Sequence, residues 1–281
     1  MDEAARRYLN LLKHTITDYL RIDNPHASAM PIHNVRPTTA VRRLRNRVLQ
    51  NIVSTFGFSL VKPRRDSLED QRHKRKFGMD WPPLAETMVG LERLDNLEMI
   101  VSTIVEEKIP GDLLEAGVWR GGASIYLQAL LTVLDARDRM IWLCDSFEGL
   151  PPPDPKFPAD KGLNFNDYSV LAVSVETVKE NFHRYDLFGN NLKFIKGFFK
   201  DTLHSVEVEQ LSLLRLDGDL YSSTIETLEP LYDKVSSGGF VVIDDYHIPA
   251  CAEAIHDFRK AHGVADELVV IDQAASYWRK S

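Results

Sequence analysis

The sequence predicts an α/β protein built on a mostly parallel sheet. Three observations carry this. From residue 112 to residue 262, short apolar runs alternate with segments of helical spacing. The runs are continuously apolar and do not alternate, as expected of strands covered on both faces. Glycines and acids collect directly after them, where ligands bind in open parallel sheets.

The elements follow in order. Residues 4–21 place Ala4, Tyr8, Leu11, Leu12, Ile16, Tyr19 and Leu20 at helical spacing. Residues 22–38 contain Pro25, Pro31 and Pro37 and read as loop. From Arg36 to Lys76 the chain is rich in Arg and Lys, with Asp66, Glu69 and Asp70 its only acids. Within it VRRLRNRVLQNIVSTFGFSLV is a candidate amphipathic helix with a basic face. From Trp81 the pattern becomes regular: a helix over 91–107, the strand DLLEAGVW, a helix over 123–135 and the strand MIWLCD. After the loop LPPPDPKFP come a helix over 170–184, the strand LKFIKG, a short helix around 200–208 and the strand LSLLRLD. A helix over 221–236, the strand GGFVVIDD and a helix over 249–262 lead to two terminal strands, ELVVID and ASYWRK, which suggest an antiparallel finish. Residues 1–79 are expected to form a helical, basic lid or oligomer contact, and 80–281 the main domain. The stripe on helix 4–21 is broad enough to require packing against another subunit or the mouth of the site.

Bulk composition narrows the function. The 281 residues are 44% hydrophobic and 27% charged, ordinary for a globular chain. A net charge of −7 argues against a general nucleic-acid binder. The two cysteines, Cys144 and Cys251, lie far apart and outside any CxxC spacing. Zinc and a disulfide framework are therefore disfavoured, and a reducing, cytoplasmic setting is expected. The N-terminus lacks the apolar core of a signal peptide, and no stretch is long and apolar enough to span a membrane.

LLEAGVWRGGASIYL reads as strand, glycine-bearing turn and helix start. Gly117, Gly121 and Gly122 would let backbone approach a ligand closely. The spacing is not GxGxxG, which disfavours a dinucleotide. Asp145, ending the next strand, is placed to accept from both hydroxyls of a ribose, with Ser146 beside it. Glu115 suits a cationic group, since a carboxylate there repels phosphate. S-adenosylmethionine meets these demands: a ribose, a sulfonium and an ammonium, and no phosphate. The bland alternative is a tight turn with an exposed acid. Two further acid pairs stand at strand ends, Asp217 with Asp219 and Asp244 with Asp245.

These residues, with DSFEGLP, GFFKDTL, RLDGDLYSSTIETLEPLYDKVSSGGFVVIDDYHIPACAEAIHDFR and the ending YWRKS, resemble the macrocin O-methyltransferase family. The resemblance runs from about Trp81 to the C-terminus and takes in the first helix. It implies a class I methyltransferase Rossmann-like fold with seven strands, the last antiparallel. It implies a metal-dependent, S-adenosylmethionine-dependent O-methyltransferase acting on sugar hydroxyls of antibiotics. It also implies a divalent metal, Mg²⁺ first, held by Asp217, Asp244 and Asp245, and Asp219 as general base. The chemistry agrees, since three neighbouring carboxylates repel each other unless a hard cation relieves them. The alternative for Asp217 and Asp219 is a helix N-cap pair before YSSTIETL. Thr87 and Met88, in ETMVG, resemble the family's segment closing over the methionine end.

Other candidates have two uses each. His247 is a substrate contact or secondary base, or structural. Arg120 reaches the methionine carboxylate or caps a helix. Phe198 and Phe199 stack near adenine or fill space. Asp201 contacts adenine or caps a helix. Tyr246 and Trp278 line the acceptor pocket or belong to the core. The expected partner is a small-molecule glycoside or oligosaccharide, with a homo-oligomer and neither nucleic acid nor membrane. Competing functions are methylation of a polysaccharide sugar, a catechol-type metal-dependent O-methyltransferase, and a non-catalytic binding protein docking through its basic segment.

Overall fold

The computed structural model describes residues 1–23, 30–31, 45, 48–49, 51–55, 61–62 and 66–281. Helix α1 (Glu3–Ile16) starts where the Asp2 side chain accepts from the Ala5 N–H at 2.7 Å. It stops before Asp18, which takes a left-handed φ of 57°, so the expected helix to residue 21 becomes a helix and one 3₁₀ turn. Helix α2 (Leu68–Lys76) opens on a capping box of Ser67 and Asp70. Helix α3 (Leu91–Glu106) then leads to strand β1 (Asp112–Ala116).

From there strands and helices alternate as the apolar runs require. Helix α4 (Gly122–Val133) and β2 (Ile141–Asp145) are followed by a long loop, then α5 (Val175–Arg184) and β3 (Leu192–Lys196). Next come α6 (Phe199–Thr202), β4 (Leu211–Leu216), α7 (Tyr221–Leu231) and β5 (Val235–Ile243). Helix α8 (Pro249–Ala261), β6 (Val269–Val270) and β7 (Ser276–Arg279) end the chain. Three expected helices are shorter than their patterns. Ser174 caps α5, accepting from the Thr177 N–H at 3.2 Å, so the helix starts at 175. The stretch 200–208 forms one turn of α6 and a 3₁₀ turn. Residues 235–236, expected as helix, already belong to β5, where Val235 pairs with Leu211.

The seven strands run β3-β2-β1-β4-β5-β7-β6. All neighbours are parallel except β7, which runs antiparallel to β5 and β6. Successive strand residues face opposite layers. Leu113, Leu213 and Val242 join α1, α3, α4 and α5 in one core, and Leu114, Leu214 and Val241 join α7 and α8 in the other. This two-sided burial is why the strands read as unbroken apolar runs. The order reverses between β1 and β4, which opens a crevice at their carboxyl ends.

Helix α1 corrects an expectation. Its Leu9, Leu12 and Ile16 are buried in the same core as α3 and α4, within this chain. It is thus part of the domain that was expected to start at residue 80. Its last carbonyl, on Ile16, accepts from the N–H groups of Glu86 and Thr87 at 2.9 and 3.3 Å. Of the basic segment, residues 45, 48–49 and 51–54 are helical, and Met30–Pro31 pairs with Val61–Lys62. The rest of the candidate helix 41–61 and of loop 22–38 lies outside the described residues. In α2 three of the cations are paired: Arg75 with Asp80, Lys74 with Asp66 and Lys76 with Glu92. Cys144 and Cys251 are buried free thiols. Among the described residues no helix is long and apolar enough to cross a membrane.

Candidate active site

A cavity of about 530 Å³ opens over the carboxyl ends of β1, β2, β4 and β5. That volume suits a small ligand of cofactor size. The turn after β1 lies under it. Gly117 has φ 99°, and a Cβ there would stand 1.7 Å from the Asp217 carbonyl oxygen. Only glycine lets the β1 turn lie so close to the end of β4. Gly121 and Gly122 were expected to admit a ligand, but packing of the protein itself requires them. Their Cβ atoms would meet Val178 and the Glu86 carbonyl at 2.8 and 2.7 Å.

Asp145 lines the cavity, and its carboxylate also ties down that turn. It accepts from Val118 N–H at 2.7 Å, Trp119 N–H at 3.2 Å and Phe147 N–H at 2.7 Å. The Ser146 hydroxyl lies 3.4 Å from its Oδ1 as a fourth donor. Burial pushes the Asp145 carboxyl up from its ordinary value, against these three N–H donors. Thr87, Met88, Ser146, Phe198 and Phe199 also line the cavity. Arg120 does not. Its Nη1 donates to the carbonyls of Pro83 and Ala85 at 2.8 and 2.9 Å, and its guanidinium stacks on Trp119. It braces the segment before Thr87. Asp201 is an exposed residue in the first turn of α6, outside the cavity wall, and no side chain caps that helix.

The acids at the ends of β4 and β5 converge. Asp217, Asp244 and Asp245 each offer an oxygen, all within 4.8 Å of one another. Oxygens sharing one hard cation at ~2.1 Å stand ~3–4.2 Å apart, so the three need close by no more than ~1–2 Å to hold one. Burial, then repulsion from Asp244, pushes Asp217 up to about 6. Burial and the neighbouring acids push Asp219 up to about 7 and raise Asp245 well above the carboxylate range. The donor set therefore fits a divalent cation, by distance and by its excess of negative charge.

Two arginines that sequence reasoning missed share this site. Arg215, 1% exposed, donates from Nη1 to Glu115 at 2.6 Å and to Asp217 at 2.9 Å, and from Nη2 to Asp244. Arg93, on α3, donates to the other oxygen of Asp244, to Asp272 at 3.0 Å and to the Phe77 carbonyl at 3.1 Å. Burial disfavours the Asp244 anion, but the two guanidinium groups outweigh it and hold its carboxyl below the ordinary value. Glu115 lines the cavity, yet the cation it meets is Arg215, and it also accepts from Ser124. Burial still pushes its carboxyl up to about 7. The signal for Arg215 was a charge inside LSLLRL, since a cation in a buried strand needs anions around it. Nothing in the sequence linked Arg93 to a residue 151 positions away.

Asp219 does not cap α7. Leu220 holds the N-cap position, and the first N–H groups of the helix donate to Asp160 from the loop after β2. Asp219 instead lines the cavity, with φ 60° and its N–H donating to Asp245 at 3.0 Å. His247 is exposed at the cavity wall. Trp278 is fully buried in the core, and Tyr246 packs on that core with its hydroxyl 3.0 Å from His256. Neither lines the cavity.

A family model described as macrocin-O-methyltransferase (TylF) matches residues 5–280. The chain is 45% identical over 211 residues to the mycinamicin III 3''-O-methyltransferase of Micromonospora griseorubida, covering 74% of this chain and 83% of that protein. It is 44% identical over 210 residues to the demethyldecarbamoylnovobiocin O-methyltransferase of Streptomyces niveus, covering 74% and 80%. Among solved structures it resembles the O-methyltransferase NovP, with a TM-score of 0.80, 35% identity and 99% of each chain covered.

Proposed function

We propose, for a chain that belongs to the macrocin-O-methyltransferase family, methyl transfer from S-adenosylmethionine to a sugar hydroxyl of a glycosylated natural product. A hard divalent cation, Mg²⁺ first, belongs to this reading. The observation that carries it is the meeting of Asp217, Asp244 and Asp245 on the wall of the cavity that also takes in the glycine turn and Asp219. The relatives named above act on mycinamicin III and demethyldecarbamoylnovobiocin, which supports a glycosylated antibiotic as acceptor.

In this reading Thr87, Met88, Gly117, Asp145, Ser146 and Phe198 surround the cofactor, with Glu115 neutralised beneath it by Arg215. Asp217, Asp244 and Asp245 hold the cation. When bound, S-adenosylmethionine supplies an electrophilic methyl group and the cation lowers the pKa of the acceptor hydroxyl. Asp219 takes the hydroxyl proton as the O–CH₃ bond forms and the S–CH₃ bond breaks. Its place on the cavity wall, two residues from Asp217, suits it to this role. His247, exposed at the same wall, is the second acceptor of that proton. Homo-oligomer formation is part of the reading, supported by the apolar Tyr8, Leu11 and Leu20 left exposed at and after α1.

The test is incubation with S-adenosylmethionine and a panel of macrolide glycosides, aminocoumarin glycosides, oligosaccharides and catechols, with and without a chelator, read by mass spectrometry. Methylated antibiotic sugar that disappears on chelation is expected. Product undiminished by the chelator removes the cation, and methylation of the catechols alone changes the acceptor class. Asp217→Asn should lose cation affinity in calorimetry. Asp219→Asn should keep it and turn over roughly 10²–10⁴-fold more slowly.

A further inference from the structure

Asp160 is a carboxylate with an unusual position. It lies in the loop between β2 and α5 and is fully buried. Its Oδ1 accepts from the Tyr221 N–H at 2.6 Å and its Oδ2 from the Ser222 N–H at 3.0 Å. No cation pairs with it among the described residues. The positive end of α7 and these two donors are what stabilise the buried charge.

Those are the first two N–H groups of the helix, and a local N-cap side chain would satisfy the second of them. In the sequence GDLYSS the residue at the N-cap position is Leu220, which has no acceptor. Asp219, one position earlier, is of the residue type most often found capping. Its backbone instead takes a left-handed φ of 60°, with its N–H held by Asp245, and its side chain lines the cavity. The helix is thus capped from 61 positions away in sequence, and Asp219 is left free for the site.

The same carboxylate fixes the loop that covers the cavity. Pro151, Pro152 and Asp154 before it, and Leu163, Phe165 and Leu171 after it, line the cavity. Phe157 packs on Tyr221 at 5.8 Å between ring centres, so the loop docks on the first turn of α7 by two contacts. At its far end the loop is held by Trp119, whose Nε1 donates to the Val170 carbonyl at 2.8 Å.

We infer that Asp160 is a positioning residue for methyl transfer: by capping α7 from the covering loop it leaves the Asp219 carboxylate facing the acceptor and holds the loop over it. The inference rests on Asp219 acting as the base. Loss of the cap frees two N–H donors beside Asp219, which then turns toward them and away from the acceptor.

The experiment is a double-mutant cycle of Asp160→Ala and Asp219→Asn, with kcat, KM and S-adenosylmethionine affinity measured for each. Asp160→Ala should lower kcat by about tenfold or more, the scale of a small misplacement of a reacting group. Its calorimetric affinity for S-adenosylmethionine should stay within about twofold, because the cofactor residues of the β1 turn are untouched. In the Asp219→Asn background the same change should slow turnover by less than it does alone, since there is no base left to misplace and only the hold on the loop remains to be lost. Asp160→Asn, which keeps one acceptor oxygen, should fold with a near-normal melting temperature and lose less kcat. It takes the place of Asp160→Ala in the cycle if the alanine variant does not fold. Unchanged kcat in a folded Asp160 variant, or effects that multiply in the double mutant, overturns the inference. Normal turnover by Asp219→Asn alone overturns the base assignment instead, so the two failures are separable.

Discussion

Arg215 occupies a strand position where the pattern on either side asks for an aliphatic side chain. It is tolerated because Glu115, Asp217 and Asp244 surround it, each within hydrogen-bond reach. Pairing does not fully offset burial for Glu115, whose carboxyl is pushed from 4.5 up to about 7. The sign of the pH effect follows. Between those two values the folded chain keeps a proton that the unfolded chain releases. The folded state is therefore favoured at the acid end, and this contribution is lost as pH rises through about 7. Glu115→Gln has no such proton. Denaturant midpoints measured at pH ~5 and ~8 should show a smaller fall in stability for Glu115→Gln than for the parent chain. An identical fall in both would mean that Glu115 stays ionised in the folded state.

Among the elements, the β1 turn is the least forgiving. Gly117 touches the Asp217 carbonyl so closely that any side chain forces β1 and β4 apart at their carboxyl ends. Gly117→Ala should cost roughly 3 kcal/mol or more, from the clash together with the left-handed φ of 99°. It should also abolish S-adenosylmethionine binding. Thermal melts and calorimetry test both, and a well-folded variant that binds normally would show that the turn has another way to relax. The strand positions were legible in the sequence because both sheet faces are buried, which writes each strand as an apolar run. Helix ends were less legible. The expected helix 221–236 ends at Leu231, and after one 3₁₀ turn Val235 pairs with Leu211 of β4; strand pairing is not a property of the local sequence.

Across the whole molecule, α1 is a structural part of the sheet's helical cover. Leu9 and Ile16 are fully buried and Leu12 nearly so, against α3 and α4. Lys13 strengthens the contact through Asp95 and, at 2.8 Å, Glu98. Its pKa is raised, because those two carboxylates outweigh the burial that would lower it. Leu9→Ala should cost about 2–5 kcal/mol, the range for a large aliphatic removed from a core. Deleting residues 1–16 should leave a chain that does not fold cooperatively, measured by circular dichroism during urea unfolding. A deletion variant with an unchanged transition would return α1 to the role of a peripheral lid or subunit contact. The Ile16 carbonyl holds the N–H groups of Glu86 and Thr87, so loss of α1 should also loosen the cavity wall at Thr87.

The sequence by itself determined the α/β class, the strand positions and the placement of Asp217, Asp244 and Asp245 at strand ends. Each of these is written locally, as apolar continuity or as a short motif such as DGD or DDY. Only the tertiary structure decided how the acids are compensated and what Asp219 is free to do. Arg93 reaches Asp244 from 151 positions away, and Asp160 reaches Tyr221 from 61. The tertiary fold also took Arg120, Asp201, Tyr246 and Trp278 away from the cavity and tied Asp145 to the turn beside it. The physical reason is common to all of them. A buried charge or an open helix end must find a partner, but chain folding, not sequence spacing, chooses which partner comes within reach.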